Sequence, residues 1–401
     1  MATRVQLSRA QTEARETYES FARDHIAPFA NDWDLKGELP EDFLAAFAGD
    51  GHLGAIVPAA YGGRETDPIT FGLLNEETGR ACSSVRSLVT VHSMVAHAVT
   101  RWGNERQRAR WLPRLATGGS VGAFALTEPG AGSDVQGLAA TARRTDDGFV
   151  LNGEKRWITF GRRADVYLLF ARLEGRPTAF LVERRNPGLD VRPVEGVLGT
   201  RASMLADLSL TDCRVPADAV LGRPGFGLAA VAADALELGR YSVAWGCVGL
   251  SQACLDASLD YAEQRQQFGA RLRDHQLVQR MLADMATGTS ASRLLCQQAG
   301  WLRASGDQQG VHATWLAKYF ATTTAFRAAS DAVQIHGARG CGGEYPVQRY
   351  LRDAKVMEII EGSTELQQTT IAGSAYQNHA ASSSFTAPAA MAEAAGQEAR
   401  T

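Results

Sequence analysis

Hydrophobic spacing along this chain changes period twice, and that double switch constrains the fold more than any other feature. Up to about residue 120 the apolar residues recur at helical spacing. "LSRAQTEARETYESFARDHIAPFA" opens with Ser8 as N-cap and Gln11 three residues later, a capping-box pattern. Leu7, Phe21 and Ile26 help form one apolar face, and Pro28 ends the run. "PEDFLAAFAGDGHLGA" and "ITFGLLNEETGRA" read as two more helices, parted by turns such as "YGGRETDP". "RSLVTVHSMVAHAVTRWG" is apolar almost all round, which predicts a buried helix. From Val121 to Gly227 the chain becomes short β-type runs split by turns: "GAFALTE", "FVLNGEKRWITFG", "DVYLLFARL", "TAFLVER" and "ASMLADLSLTDCRVP". "NGEKRW" and "RRTDDGFVLNG" look like hairpin turns. From Leu228 long helical stretches return, enough for a bundle. The predicted class is α+β: an N-terminal helical domain (1–120), a central β domain (121–227), a C-terminal helical bundle (228–378) and a disordered Ala/Ser-rich tail (379–401).

Bulk properties exclude several functions. The 401 residues carry a net charge of −3, with 45% hydrophobic and 21% charged residues. That balance argues against a nucleic-acid surface or a polybasic membrane contact. No apolar run approaches the roughly 20 residues of a membrane span. The polar N-terminus lacks a signal core, so a cytoplasmic protein is expected. Six cysteines without a CxxC pair suggest reduced, buried thiols, and no His/Cys cluster has zinc spacing, so no metal is expected.

Five segments could carry chemistry. "TEPGAGSD" (127–134) lacks the Lys-Ser/Thr of a phosphate loop and the GxGxxG of a dinucleotide turn. Its glycines either let backbone N–H groups approach a ligand or simply make a turn. In "KRWITFG", Trp157 and Thr159 alternate along a strand and would share a face. An indole beside a hydroxyl suits a planar heterocycle, while a cross-strand aromatic pair in a sheet core is the commoner fate of a tryptophan in a strand. Arg265 and Gln334 end apolar helices, where Arg265 could equally be a surface ion pair. Glycines 337, 340, 342 and 343 could admit a pyrophosphate or cap a helix. In "DAKVMEIIEGSTELQQ", Glu361 follows Ile359 and Ile360. It is either a helix-start charge or a base held in an apolar pocket.

Taken together and in this order, "FALTEPGAGSD", "RWIT", "RQQFG", "DAVQIHG", "EYPVQRYLRDAK" and "IIEGSTELQ" resemble the acyl-CoA dehydrogenase family, from the N-terminal helices to about residue 375. The resemblance implies that family's fold: an N-terminal helical domain, a central β-barrel or sandwich domain and a C-terminal four-helix bundle. It also implies FAD. By similarity Phe124, Leu126, Thr127, Gly132 and Ser133 lie along the flavin. Trp157, Ile158 and Thr159 cover its ring. Arg265, Phe268, Gln276, Gln334, Ile335 and Gly337 reach the FAD of a neighbouring subunit, which implies a homotetramer or homodimer. Ser363 and Glu365 also touch FAD. Glu361 matches the catalytic base, here in "EGS". The α-proton of a thioester is weakly acidic, and its removal needs a carboxylate whose pKa an apolar pocket has raised; Ile359 and Ile360 are expected to help form that pocket. An electron-transferring flavoprotein or oxygen would take the electrons.

"SSVRSLVTVHSMV" and "GRYSVAWG" resemble the glutaryl-CoA dehydrogenase branch. There Arg86, with Ser87 and Thr90, would hold the far carboxylate of the acyl group; the bland alternative is a helix-end arginine in water. Ser133 and Arg240 would also face substrate, Arg240 at the pocket mouth. "CSSVRSL", "LGTRASML" and "GRYSVAWGCVG" further resemble dehydrogenases of polyketide and nonribosomal pathways. Those act on a short oxygenated acyl unit on an acyl carrier protein, making hydroxy-, methoxy- or aminomalonyl extender units, and Glu361 could then take a hydroxyl proton from an aldehyde hydrate. The carrier-linked role is the preferred expectation. A catabolic acyl-CoA dehydrogenase is the alternative, and a non-catalytic flavin-binding protein is the alternative of another class.

Overall fold

The computed structural model describes residues 6–382. The expected tail begins inside the last helix, and residues 383–401 lie outside the described part. The N-terminal helices are α1 (Arg9–His25), α2 (Ala30–Lys36), α3 (Glu41–Gly49), α4 (Pro68–Ala81), α5 (Ser83–Trp102) and α6 (Glu105–Ala116). Ser8 does cap α1 in a reciprocal box with Gln11. Helix α5 is buried on nearly every side, as its composition predicted.

The middle of the chain supplies β1 (Gly122–Ala125), β2 (Thr141–Thr145), β3 (Gly148–Ile158), β4 (Val166–Leu173), β5 (Arg176–Glu183), β6 (Leu189–Pro193), β7 (Ala206–Pro216) and β8 (Val220–Leu221). They form one sheet in the order β6-β7-β3-β2-β4-β5-β8, with β1 added parallel to β4. The end strands β6 and β8 do not pair, so the sheet is open and not a closed barrel. The "TDDG" turn joins β2 to β3 as expected. "NGEKRW" is not a turn. Strand β3 runs straight through it with a bulge between Leu151 and Gly153. Two contacts overrule the turn propensity of Asn-Gly: Asn152 and Asp212 hydrogen-bond reciprocally, and a Cβ on Gly153 would sit 2.7 Å from Ala140.

A π-turn over Gly227–Ala232 leads into α7 (Ala233–Gln264). A small hairpin follows, β9 (Gln266–Gln267) and β10 (Ala270–Arg271), then α8 (Gln276–Ala304), α9 (Gln309–His336), α10 (Val347–Met357) and α11 (Thr364–Ser382). The helices α7, α8 and α9 pack on one another, and α10 and α11 lie against α9. Helices α4 and α5 also pack on α7, which joins the two helical parts. Glycine makes that approach possible: a Cβ on Gly79 of α4 would come within 2.5 Å of the Gly246 carbonyl of α7. Among the described residues no helix is long and apolar enough to cross a membrane. Five cysteines are buried, Cys341 is exposed, and all six are free.

Candidate active site

Glu361 sits in the turn between α10 and α11 with φ +55°, and Gly362 follows with φ +94°. A left-handed non-glycine residue costs about 1–2 kcal/mol, so the turn needs support. Two cations from the bundle supply it. Arg240 of α7 donates from Nε to the Glu361 carbonyl at 3.1 Å, and Lys318 of α9 donates from Nζ to the Gly362 carbonyl at 2.6 Å. Gln367 adds a bond to the same Gly362 carbonyl. Arg240 is itself held over the Trp315 ring at 4.1 Å.

The turn drives the Glu361 side chain inward. Its Oε2 is enclosed and has no hydrogen-bond partner among the described residues. Burial raises the carboxyl pKa, while Arg240, Arg86 and Lys318 pull against that rise. The expected apolar surround is only partly what the sequence suggested. Ile359 points to solvent, 58% exposed, because it lies on the outside of the turn, and Ile360 packs into the bundle core. The wall against the carboxylate is instead Gly239 of α7 and Met94 of α5. A Cβ on Gly239 would lie 2.6 Å from Oε2 and 3.0 Å from the Met94 sulfur.

Arg86 is not a helix-end arginine in water. It is 1% exposed, at the heart of the helical part. Its guanidinium donates to Thr90 Oγ1 at 2.9 Å and Ser87 Oγ at 3.0 Å, and touches the Met357 sulfur at 3.0 Å. Among the described residues no carboxylate hydrogen-bonds to it. It too rests in a glycine slot on α7, since a Cβ on Gly246 would lie 2.7 Å from Arg86 Cδ. Gly239 and Gly246 are seven residues apart on α7. At 3.6 residues per turn they face the same way, about 10 Å apart along the axis. One helix face therefore holds the Glu361 carboxylate at one glycine and the stem of Arg86 at the other.

A second surface is built from β3 and the loop before it. The Glu128 carboxylate accepts from the backbone N–H of Ala139 (2.6 Å) and Ala140 (3.1 Å) and from Lys155 Nζ (2.6 Å). Lys155 also reaches the Leu126 carbonyl at 3.4 Å, and both charged side chains are buried. Burial draws the Lys155 pKa down to about 8. Pinned in this way, the loop leaves Gly132 and Ser133 exposed, and a Cβ on Gly130 or Gly132 would meet nothing within 4 Å. The Arg156 N–H donates to the Thr127 carbonyl, which lays Trp157 beside the loop. Trp157 is half-exposed with φ +59°, next to a break in the β3–β7 register between Lys155 and Ile158. The expected alternation of Trp157 and Thr159 fails for that reason. The strand ends at Ile158, whose side chain is in the sheet core, and Thr159 lies beyond it in a turn. Leu126 is buried, and Phe124 is half-buried against Phe170.

Arg265, Phe268, Gln276, Gln334, Ile335 and Gly337 gather elsewhere. Phe268, 98% exposed, and Gly269 form the left-handed tip of the β9–β10 hairpin. Arg265, Gln276, Gln334 and Gly337 are exposed, and Ile335 is buried. Arg265 lies 26 residues beyond Gly239 at the far end of α7, roughly 39 Å along the helix. One chain therefore does not bring this group to Glu361. Ser363 and Glu365 sit at the start of α11, where Ser363 Oγ accepts from the Leu366 N–H at 3.4 Å.

Comparison with known proteins decides the family. Sequence profiles for the acyl-CoA dehydrogenase N-terminal, middle and C-terminal domains match residues 8–119, 123–213 and 226–376. The chain belongs to the acyl-CoA dehydrogenase family. It is 38% identical to an acyl-CoA dehydrogenase of Bacillus subtilis, over 92% of this chain and 98% of that one. Among solved structures it resembles a glutaryl-CoA dehydrogenase of Mycobacterium smegmatis in complex with FADH2, with TM-score 0.87, 29% identity, and 92% and 95% of the chains covered. It also resembles FkbI, of the biosynthesis of a methoxymalonyl extender unit, with TM-score 0.83, 37% identity, and 91% and 99% covered.

Members of the acyl-CoA dehydrogenase family are FAD-dependent oxidoreductases of the CH–CH group of acyl thioesters. The residues here fit that cofactor: an exposed indole, a pinned glycine loop with open space above it, and a buried carboxyl oxygen without a hydrogen-bond partner among the described residues. Sequence reading missed Gly239, Met94, Lys318 and the Glu128–Lys155 pair. Lys318 alone left a signal, a lysine within the apolar pattern of "ATWLAKYFA".

Two expected results follow. Gly239→Ala keeps the fold, since alanine favours a helix by about 1 kcal/mol. Displacing the Glu361 carboxylate by about 1 Å should slow flavin reduction by about 100-fold, read by anaerobic stopped-flow beside a thermal melt. Lys155→Met strands Glu128 as a buried unpaired charge and should destabilise the chain by about 3–5 kcal/mol. FAD fluorescence should appear earlier in a melt, and adding Glu128→Gln should recover most of the loss.

Proposed function

We propose that this dehydrogenase acts on a short acyl thioester whose far end is acidic or oxygenated, with Glu361 as the base. The observation that carries this reading is Arg86, a buried guanidinium that packs on the same face of α7 as Glu361 and to which no carboxylate hydrogen-bonds among the described residues. The Glu361 carboxylate takes the α-proton. Burial raises its basicity, and Arg240 and Lys318 oppose that rise while fixing its backbone. FAD, when bound, supplies the hydride acceptor. Phe124, Leu126, Thr127, Gly132, Ser133, Trp157, Ile158, Thr159, Ser363 and Glu365 would hold it. Arg265, Phe268, Gln276, Gln334, Ile335 and Gly337 would complete the site of a second copy, in a homodimer or homotetramer. Arg86, with Ser87, receives the far end of the acyl group, and Ser133 and Arg240 border its path.

The preferred tether is an acyl carrier protein, in line with the resemblance to FkbI. The buried Arg86 also supports a second reading, an acid-ended acyl group on coenzyme A such as glutaryl, because a guanidinium fork matches a carboxylate. The test loads one three-carbon hydroxylated acyl group on coenzyme A and on a carrier protein, with glutaryl-CoA alongside, and follows anaerobic bleaching of the flavin. Bleaching by the carrier form alone supports the carrier-linked role. Bleaching by glutaryl-CoA supports the second reading. Bleaching by neither, with butyryl-CoA active, rejects an acidic or oxygenated substrate. An oxygen-consumption trace separates oxygen from an electron-transferring flavoprotein as acceptor.

A further inference from the structure

Behind Arg86 runs a row of buried polar side chains that the dehydrogenation step does not use. Asn75 of α4 donates from Nδ2 to the Phe71 carbonyl at 2.8 Å, which fixes its amide with Oδ1 facing α7. Ser242 of α7 donates its only proton to that Oδ1 at 2.5 Å. Thr90 Oγ1 lies 2.6 Å from Ser242 Oγ. With the serine proton already committed, two oxygens at that distance would repel unless Thr90 donates. Thr90 therefore points its proton at Ser242, sharing it with the Arg86 carbonyl at 2.9 Å, and turns a lone pair toward Arg86 NH1. Every proton in the row points away from the guanidinium. All three side chains are buried, and none carries a charge.

We infer that Asn75, Ser242 and Thr90 form a proton-ordered relay that aims Arg86 at the acidic end of the substrate. They are positioning residues, and they set the preference for acid-ended acyl groups. This rests on the proposed role of Arg86. Neutral dipoles aligned with their negative ends toward a buried cation stabilise it without cancelling its charge. A carboxylate in the place of Asn75 would neutralise it. The relay fixes one edge of the guanidinium and leaves the full positive charge for an anionic ligand.

The test compares kcat/KM for glutaryl-CoA with that for butyryl-CoA, using the FAD-loaded enzyme. Thr90→Val, which loses a hydrogen bond to the charged Arg86, should lower the glutaryl/butyryl ratio about tenfold, mainly through KM for glutaryl-CoA, and Ser242→Ala, which loses a neutral bond to Thr90, should lower it about threefold or more. Thr90→Ser, which keeps the hydroxyl, should hold the ratio within about twofold. If the ratio is unmoved in Ser242→Ala and Thr90→Val while Arg86→Met collapses it, the relay is wrong and the role of Arg86 stands. If Arg86→Met also leaves the ratio unmoved, both fall. Ser242→Ala removes a single oxygen, so the test survives if Thr90→Val fails to fold.

Discussion

Glu361→Gln is expected to slow flavin reduction by an acyl thioester by about 10²- to 10⁴-fold, the usual contribution of a positioned base, while FAD stays bound. The amide keeps the shape of the side chain, and the supports of the turn act on backbone carbonyls, which the change leaves in place. The pH profile gives the sharper signature. Proton abstraction needs the carboxylate, and burial raises its pKa. The wild-type rate should therefore rise with pH through an apparent pKa above the ordinary glutamate range, and the variant should lose that limb. Stability runs the other way. A raised pKa means the folded state binds the proton more tightly than the unfolded chain, so no penalty exists below the unfolded value. It develops as pH rises past that value and is complete above the folded pKa. Near neutral pH the glutamine variant should melt higher than the wild type. Equal reduction rates in the two proteins would remove Glu361 from the chemistry.

Arg86→Met separates substrates where Glu361→Gln does not. Truncating one partner of a buried, hydrogen-bonded charge pair costs about 2–5 kcal/mol. For an acid-ended thioester kcat/KM should fall from roughly 30-fold to several thousand-fold. Butyryl-CoA has no charge to offer the guanidinium and should lose far less, so the order of preference inverts. Without substrate the variant should be the more stable protein, because an apolar chain replaces a buried cation to which no carboxylate hydrogen-bonds among the described residues. Steady-state kinetics on both thioesters with a thermal melt checks each half. An equal loss on both substrates would mean that Arg86 supports the fold and does not select the acyl group.

The architecture was legible in the sequence because each segment obeys one period. The capped α1, the all-round apolar α5 and the long helices after residue 228 have local signals that agree with their packing. Local reading failed where a contact from a distant element decides the conformation. Asn152-Gly153 carries a turn signal, but Asp212 and Ala140 pull it into a bulged strand. Trp157 and Thr159 read as alternating until the bulge and a left-handed φ end the pattern. Ile359 was expected against the base, and the turn that aims Glu361 inward sends it outward. At the site itself, Glu361 and Arg86 were visible through family motifs. Gly239 and Met94 left no signal, and Lys318 showed only as a lysine in an apolar pattern, because each acts on a residue more than forty positions away in the chain, and spacing along a sequence does not reveal that partner.

The two glycine slots on α7 give this fold a graduated scale. A continuous helix offers slots on a given face only at whole turns, about 5.4 Å apart. Because the Gly246 slot takes the arginine stem, relocating the cation to suit another acyl chain would move that stem from one slot to the next. Changes of acid length in relatives built on the same helix should accordingly come in jumps, each requiring a new glycine and a new arginine together.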